Sequence, residues 1–340
     1  LSVRYLPAKN HQLDLILSYQ NDDTPGIAFM SKQYPNTEGD TDIFNYRASL
    51  EQGDNLYTGK ELFDAALYYR YNINEHTYLS TITSFRKTSS GSRWDGDGTA
   101  APALDFWDDA GADQFYQELW YNFSWRSRLN GSAGISYWNE KADQTYWFSP
   151  NEQSTAVLFF QPELLILPNG QPLLIPALPD NPELGPLAGM PLPEYHLENN
   201  YSVANNQALE AFIDATYQIT SKLYFTGGIR AAYENFELSN EAAFVDGEPS
   251  TLGLITGNHP NMFFKPTSEQ SMDDNSMAIN WQAGLQYRIS ENTNIFSNYS
   301  NGRRPVVLQY TSAGEPEQLP AERVDNIDIG IKSSIYGRAY

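Results

Sequence analysis

The sequence has no cysteine. That excludes a disulfide framework, a thiolate metal site and a cysteine nucleophile, and it suits an oxidising compartment where nothing needs a staple. Basic residues are scarce: 21 Lys and Arg face 42 Asp and Glu, for a net charge of −21. Nucleic acid is therefore excluded as a partner, because its binding needs a basic surface that displaces counterions. An excess of acid keeps a protein soluble or attracts cationic partners. No apolar run reaches the roughly 18 residues of a membrane helix, and no signal peptide is recognisable, so a leader for export is expected outside this sequence. The four histidines (11, 76, 196 and 259) are scattered. There is no Ser/His/Asp spacing, no phosphate loop and no dinucleotide fingerprint, so nothing supports an enzyme.

Aromatic residues, in contrast, are abundant: 23 Tyr, 17 Phe and 7 Trp, in a chain whose mean hydropathy is −0.52. Strands that turn apolar side chains outward and polar ones inward combine these two properties. Period-two alternation is the dominant pattern. In Leu62–Tyr71, Phe63, Ala65, Leu67, Tyr69 and Tyr71 share a face. In Leu209–Tyr217, Leu209, Ala211, Ile213, Ala215 and Tyr217 oppose Glu210, Asp214 and Thr216, with Phe212 the exception. Met277, Ile279, Trp281, Ala283, Leu285 and Tyr287 alternate with Ala278, Asn280, Gln282, Gly284, Gln286 and Arg288, and Leu223–Tyr233 behaves alike with Thr226 and Arg230 on its polar side. Tyr78–Arg86 is ambiguous, since Leu79 and Ile82 fall on opposite faces. The runs are about 9–12 residues, the length of a tilted strand crossing a membrane.

The connections alternate as well. Short turns are expected at Pro7–Asn10, Ile73–His76, Arg126–Arg128, Thr220–Lys222, Ser290–Asn292 and near Tyr336–Arg338. Long polar loops are expected at Asn21–Lys60, Thr88–Ala112, Ala142–Asn205, Asn235–Asn275 and Asn301–Arg323. Loops of this length are foreign to ordinary compact domains. An antiparallel meander with short turns at one end and long loops at the other is the layout of an outer-membrane barrel. The fold class is thus all-β, an antiparallel transmembrane β-barrel meander of about twelve strands with short periplasmic turns and long extracellular loops. A secreted β-sandwich or propeller is the competing architecture, and long strands with lopsided loops count against it. The loop Ala142–Asn205 contains "LPNGQPLLIPALPDNPELGPLAGMPLPEYH", in which proline forbids regular ladders. It is expected to pack as a lid or as crossing extended pieces, or to be a variable surface loop.

Two stretches offer candidate binding residues. "RWDGDGTA", Arg93–Ala100, resembles the start of a calcium loop but lacks the third ligand and the downstream Glu, so it reads as an acidic, solvated turn with no metal. "DFWDDAGAD", Asp105–Asp113, adds carboxylates and Trp107. "YSNGRRP", Tyr299–Pro305, ends a strand with paired arginines and a proline. Asn301-Gly302 relaxes the backbone, Pro305 stops further pairing, and Arg303 and Arg304 are placed to meet acidic groups across a lumen or lipid phosphates at the rim.

The segment Thr293–Tyr340 resembles the barrel of TonB-dependent outer-membrane receptors. The matching residues are Tyr299, Asn301, Gly302, Arg304 and Pro305, then Leu319, Pro320 and, one place late, Glu322, then Gly330, Lys332 and Ser333. Asp328 stands where that family commonly has Glu. "YLSTITSFR", "FYQELWYNFS" and "LEAFIDATYQITSKLYFTGGIRAAYE" extend the likeness over most of the chain. The resemblance implies active uptake of a scarce nutrient, a ferric siderophore complex first, with an oligosaccharide, haem or cobalamin as other cargoes. It implies outer-membrane lipid and the TonB energy-coupling complex as partners, no catalytic activity and no cofactor. A passive porin and an enzyme embedded in a barrel are the readings from other classes. Residues 1–340 are expected to be the central part of a barrel of roughly 22 strands, with no plug domain in this chain. The expected ligand-binding residues are Arg93, Trp94, Asp95, Asp97, Trp107, Arg303 and Arg304.

Overall fold

A computed structural model of the chain describes all residues except 28, 32, 33, 35–41, 43, 45–48, 127, 336, 337 and 340. Ser127, Tyr336 and Gly337, each part of an expected turn, and much of the Asn21–Lys60 loop lie outside the described residues. The strands in chain order are β1 Ser2–Ala8, β2 His11–Pro25, β3 Tyr57–Asn74, β4 Thr77–Asp95, β5 Asp105–Trp125, β6 Leu129–Ser149, β7 His196–Gln218 and β8 Leu223–Gly247. They continue with β9 Thr267–Ser290, β10 Thr293–Arg304, β11 Val307–Tyr310, β12 Pro316–Leu319, β13 Glu322–Ile335 and β14 Arg338–Ala339. Each strand of the main sheet pairs antiparallel with the next, giving a 12-stranded meander from β1 through β10 to β13 and β14. β11 and β12 form a separate hairpin inside the β10–β13 connection. Among the described residues the sheet is open, with β1 at one edge and β14 at the other.

The alternation has the expected sense. One cross-strand row runs Ile213, Ile229, Trp281, and another runs Ala211, Ala231, Ile279. Leu209, Ile213, Ile229, Ile279, Trp281 and Leu285 are all exposed on this apolar face. The opposite face carries Glu210, Asp214, Arg230 and Gln282, linked by Arg230–Glu210 at 3.0 Å and Gln282–Asp214 at 2.8 Å. Arg288 lies over Tyr224 on the same polar face. Tyr78–Arg86 resolves within β4: Phe85 pairs with Phe115 on the apolar side, whereas Ser80 and Ile82 face the polar side.

The strands outrun the sequence expectation. β8 has 25 residues, roughly 80 Å at about 3.3 Å per residue. The long connections shrink accordingly, to residues 96–104, 150–195 and 248–266. The physical reason lies on the apolar face. Above Phe85, Phe115, Tyr137 and Tyr233 that face turns polar, through Lys87, Asp113, Lys141, Asn205, Glu237 and Asp273 in one continuous cross-strand row. Alternation stops there because water replaces the apolar surroundings, yet the backbone ladder needs no apolar side chains and continues.

Residues 150–195 combine extended pieces, which meet at the antiparallel bridges Ile166–Pro172 and Ala177–Pro191, with helical turns. They hold helix α1, Glu152–Phe160, capped by Asn151 Oδ1, which accepts from Gln153 N at 3.0 Å and Ser154 N at 3.3 Å. A short helix α2, Leu252–Thr256, sits in the 248–266 connection. The two connections share a core of Phe148, Ala156, Leu178, Leu192, Ala242, Leu252, Met262 and Phe264, all buried. A second cluster, Ala101, Ala103, Val157, Leu165 and Ile166, ties in the 96–104 connection. Proline spaces the leucines so that no ladder forms, and the leucines bury themselves in a compact cap.

Candidate functional site

The cap covers the polar face of the sheet at the end where the long connections emerge. Phe148 and Ala242 in its core project from the same side of β6 and β8 as Ser136 and Ala232. Phe106 continues the packing, stacked on Phe148 at 4.5 Å between ring centroids. The β11–β12 hairpin folds over the same face. Gln270 Nε2 donates to the Gly314 carbonyl at 2.6 Å, Gln318 Nε2 donates to Asp274 at 3.1 Å, and Lys265 N donates to the Ser312 carbonyl at 3.1 Å. Two adjoining hollows on the wall share Ala204 and Leu238. One, of about 340 Å³, is lined by Ser90, Ala112, Ala142 and Gln144 among others. The other, of about 200 Å³, lies between Phe236 and the Val306–Leu308 stretch. Small side chains leave this space because Ala112, Ala142 and Ala204 are direct cross-strand partners on one face.

Polar groups fasten the cap. Glu198 is fully buried and accepts from three consecutive backbone N–H groups, those of Met262 at 2.7 Å, Phe263 at 2.8 Å and Phe264 at 3.1 Å. Glu152, also fully buried, accepts through Oε2 from Thr251 N and Leu252 N at 3.0 Å each, while its Oε1 has no partner. Burial raises the Glu152 pKa above the ordinary carboxylate range, against the opposing bonds from Ser250 and the two backbone amides. Thr155 Oγ1 donates to the Ala103 carbonyl at 2.8 Å.

The expected ligand-binding residues fall into separate places. Arg93 and Trp107 are cross-strand partners on the outer, apolar-side surface, where Trp107 stacks on Trp147 at 5.9 Å. Arg93 is already engaged, with two bonds to Asp105 at 3.0 and 2.5 Å. Trp94 lies on the inner face, stacked against Phe106 at 5.9 Å and 8°. The acidic turn is not solvated. Asp95 is 2% exposed; its carboxylate accepts from Gly98 N at 2.9 Å and Asp97 N at 3.1 Å, and from Glu51 N at 3.3 Å. Asp97 accepts from Thr99 N and Leu104 N at 3.1 Å each. Burial, then the charge of Asp97, pushes the Asp95 pKa up to about 7. These carboxylates build the turn, and among the described residues no His/Asp/Glu group fit for a metal occurs. Arg303 and Arg304 stand on β10, six positions from β4 in the sheet order. Arg303 reaches over β9 to Ser276 at 3.1 Å and pairs with Glu234 of β8. Arg304 meets Glu322 at 3.4 Å in the open.

The sequence matches the family described as TonB dependent receptor-like, beta-barrel, over residues 4–340. The chain belongs to this family. No curated protein sequence matches it. Among solved structures it is similar to the ferric yersiniabactin uptake receptor FyuA from Yersinia pestis, at 13% identity and a TM-score of 0.64, over 96% of this chain and 40% of that one. It is also similar to the siderophore receptor PiuA from Acinetobacter baumannii, at 14% identity and a TM-score of 0.57, over 96% and 45% of the two chains. The copper transporter OprC resembles it at 8% identity and a TM-score of 0.56, over 98% and 42%. The chain thus spans less than half of each neighbour, and at these identities the likeness is one of fold. As a segment of a TonB-dependent receptor barrel it belongs to a family of outer-membrane transporters of Gram-negative bacteria, not of enzymes. The apolar face meets lipid, and the polar face with its cap lines the interior.

This orientation makes one substitution decisive. Ile279, exposed in the middle of the apolar band, replaced by Arg should cost about 2–4 kcal/mol of barrel stability. Denaturant unfolding in lipid vesicles reads the cost; a neutral result overturns the assignment of that face to lipid.

Proposed function

We propose that this chain is a central part of the barrel wall of a TonB-dependent receptor that takes up a ferric siderophore complex. An open sheet leaves unpaired N–H and C=O groups at both edges, which lipid does not tolerate, so the wall closes with further strands. The observation that carries the reading is the cap. Long connections that fold inward over the polar face of the wall form a mouth built to hold a ligand before transport. Siderophore receptors recur by name among the neighbours of similar fold. Trp94 remains the proposed ligand contact from the interior side. Energy coupling through TonB would act on a plug, which none of the elements described here supplies.

A second cargo, an oligosaccharide, is favoured by one observation. Arg93, Arg303 and Arg304 are each already paired with a carboxylate, so they offer little to the negative charge of a ferric chelate. Sugars stack on aromatic rings and need no such cation. A strain lacking the receptor decides between them. It is expected to fail on one ferric chelate under iron limitation, with the gene derepressed when iron is absent. Induction by a glycan with no response to iron overturns the iron assignment and leaves the transporter class standing.

A further inference from the structure

Both ring nitrogens of His196 face acceptors. Nδ1 lies 2.9 Å from the Glu248 carbonyl oxygen and Nε2 lies 3.2 Å from Glu198 Oε2. Neither a carbonyl nor a carboxylate oxygen donates, so both contacts are hydrogen bonds only when both nitrogens carry protons. The residue is 0% exposed, which shuts out water as a substitute. Three elements meet at this ring. Its own strand supplies Glu198, α1 supplies the charge of Glu152, and β8 supplies the Phe244 ring, stacked at 5.5 Å, with the Glu248 carbonyl just beyond the strand end. Among the described residues no basic side chain pairs with Glu198 or Glu152.

We propose that the cap is a proton-operated closure, in which a buried imidazolium at His196 clamps the 248–266 connection to the start of β7 and its deprotonation releases that connection. Glu198 is the pivot, because the same carboxylate holds His196 and the amides of Met262, Phe263 and Phe264. When the ring loses a proton, one nitrogen becomes an acceptor opposite another acceptor, inside a dry site. The barrel ladder is untouched, so the mouth loosens while the wall stays intact.

The direction agrees with the charges around the ring. Burial alone would lower the His196 pKa, but the bonds to Glu198 and the Glu248 carbonyl, then the charges of Glu198 and Glu152, outweigh it and raise the value above the usual 6.5. A raised folded pKa means that the clamp contributes fully below about pH 6.5. Its contribution is lost as the pH rises through the folded value.

The experiment is amide hydrogen exchange on the complete receptor in detergent between pH 6 and 9.5, corrected for intrinsic exchange, beside nitrogen NMR of the histidine ring. The NMR should show both nitrogens protonated at pH 6.5. Protection of residues 261–264 should then fall by up to about tenfold per pH unit from about pH 6.5 to the folded pKa and level off above it, with strands β6–β8 unaffected. His196→Gln, which keeps the shape but cannot carry the charge, should lose the pH dependence; His259→Gln should keep it. Protection that does not change with pH, a ring neutral at pH 6.5, or the same pH profile in His196→Gln each overturns the proposal.

Discussion

Glu198→Ala should open the extracellular cap without unfolding the barrel. The substitution removes the acceptor of three N–H groups, at Met262, Phe263 and Phe264, in a site with no water access. A buried donor left unpaired costs about 1–3 kcal/mol. Opening of the 248–266 connection should therefore become easier by roughly 3–6 kcal/mol, partly offset because the freed loop is rehydrated. Hydrogen exchange in that connection should accelerate by about 10²–10⁴-fold, while amides of the β7–β8 ladder keep their protection. Glu198→Gln, which retains one acceptor oxygen, should fall between. Unchanged exchange in Glu198→Ala would show that the apolar core around Phe148 and Leu252 holds the cap by itself.

The barrel was legible in the sequence where the membrane dictates it. Leu209, Ile213, Ile229 and Ile279 had to point one way, because a strand has only two faces and lipid accepts only apolar side chains. The strand ends were not legible for the same reason. Past Tyr233, β8 reads Asn235, Glu237, Ser239 on its outer side, and nothing in that pattern distinguishes a paired strand in water from a polar loop. The pairing partner decides, and it lies in β9, more than a loop away.

The candidate site was legible only in part. Aromatic and arginine residues were visible, but parity along β4 and β5 sends Arg93 and Trp107 outward and Trp94 inward, and parity needs the strand boundaries. Asp95 and Asp97 looked solvated because carboxylates usually are; the turn uses them to satisfy its own amides. His196 and Glu198 gave no signal at all. Their meaning comes from partners at Glu248 and at 262–264, and no spacing rule links those positions. A proline-rich, leucine-rich segment likewise has no period, so its burial followed from the partner residues Leu252, Met262 and Phe264 and not from its own pattern.

Replacing residues 151–195 by a short Gly-Ser hairpin should leave a folded barrel that no longer takes up its ligand. The strands that the excision joins are already neighbours: β6 and β7 pair without a register break from Leu129–Tyr217 up to Phe148–Glu198. A tight connection closes such a pair, and a shorter loop lowers the closure entropy slightly. The wall should therefore insert, shift on heating in electrophoresis as folded barrels do, and appear at the cell surface. What the deletion removes is the cover over Phe148, Leu252, Met262 and Phe264, together with Glu152 beneath the Thr251 and Leu252 amides. Those apolar side chains become exposed and the 248–266 connection loses its protection. Uptake should drop to the level of a strain without the receptor, since no closed mouth remains to retain the ligand. Full uptake by the inserted deletion variant would remove the cap from the transport path, and failure to insert would show that the wall depends on the cap for its own assembly.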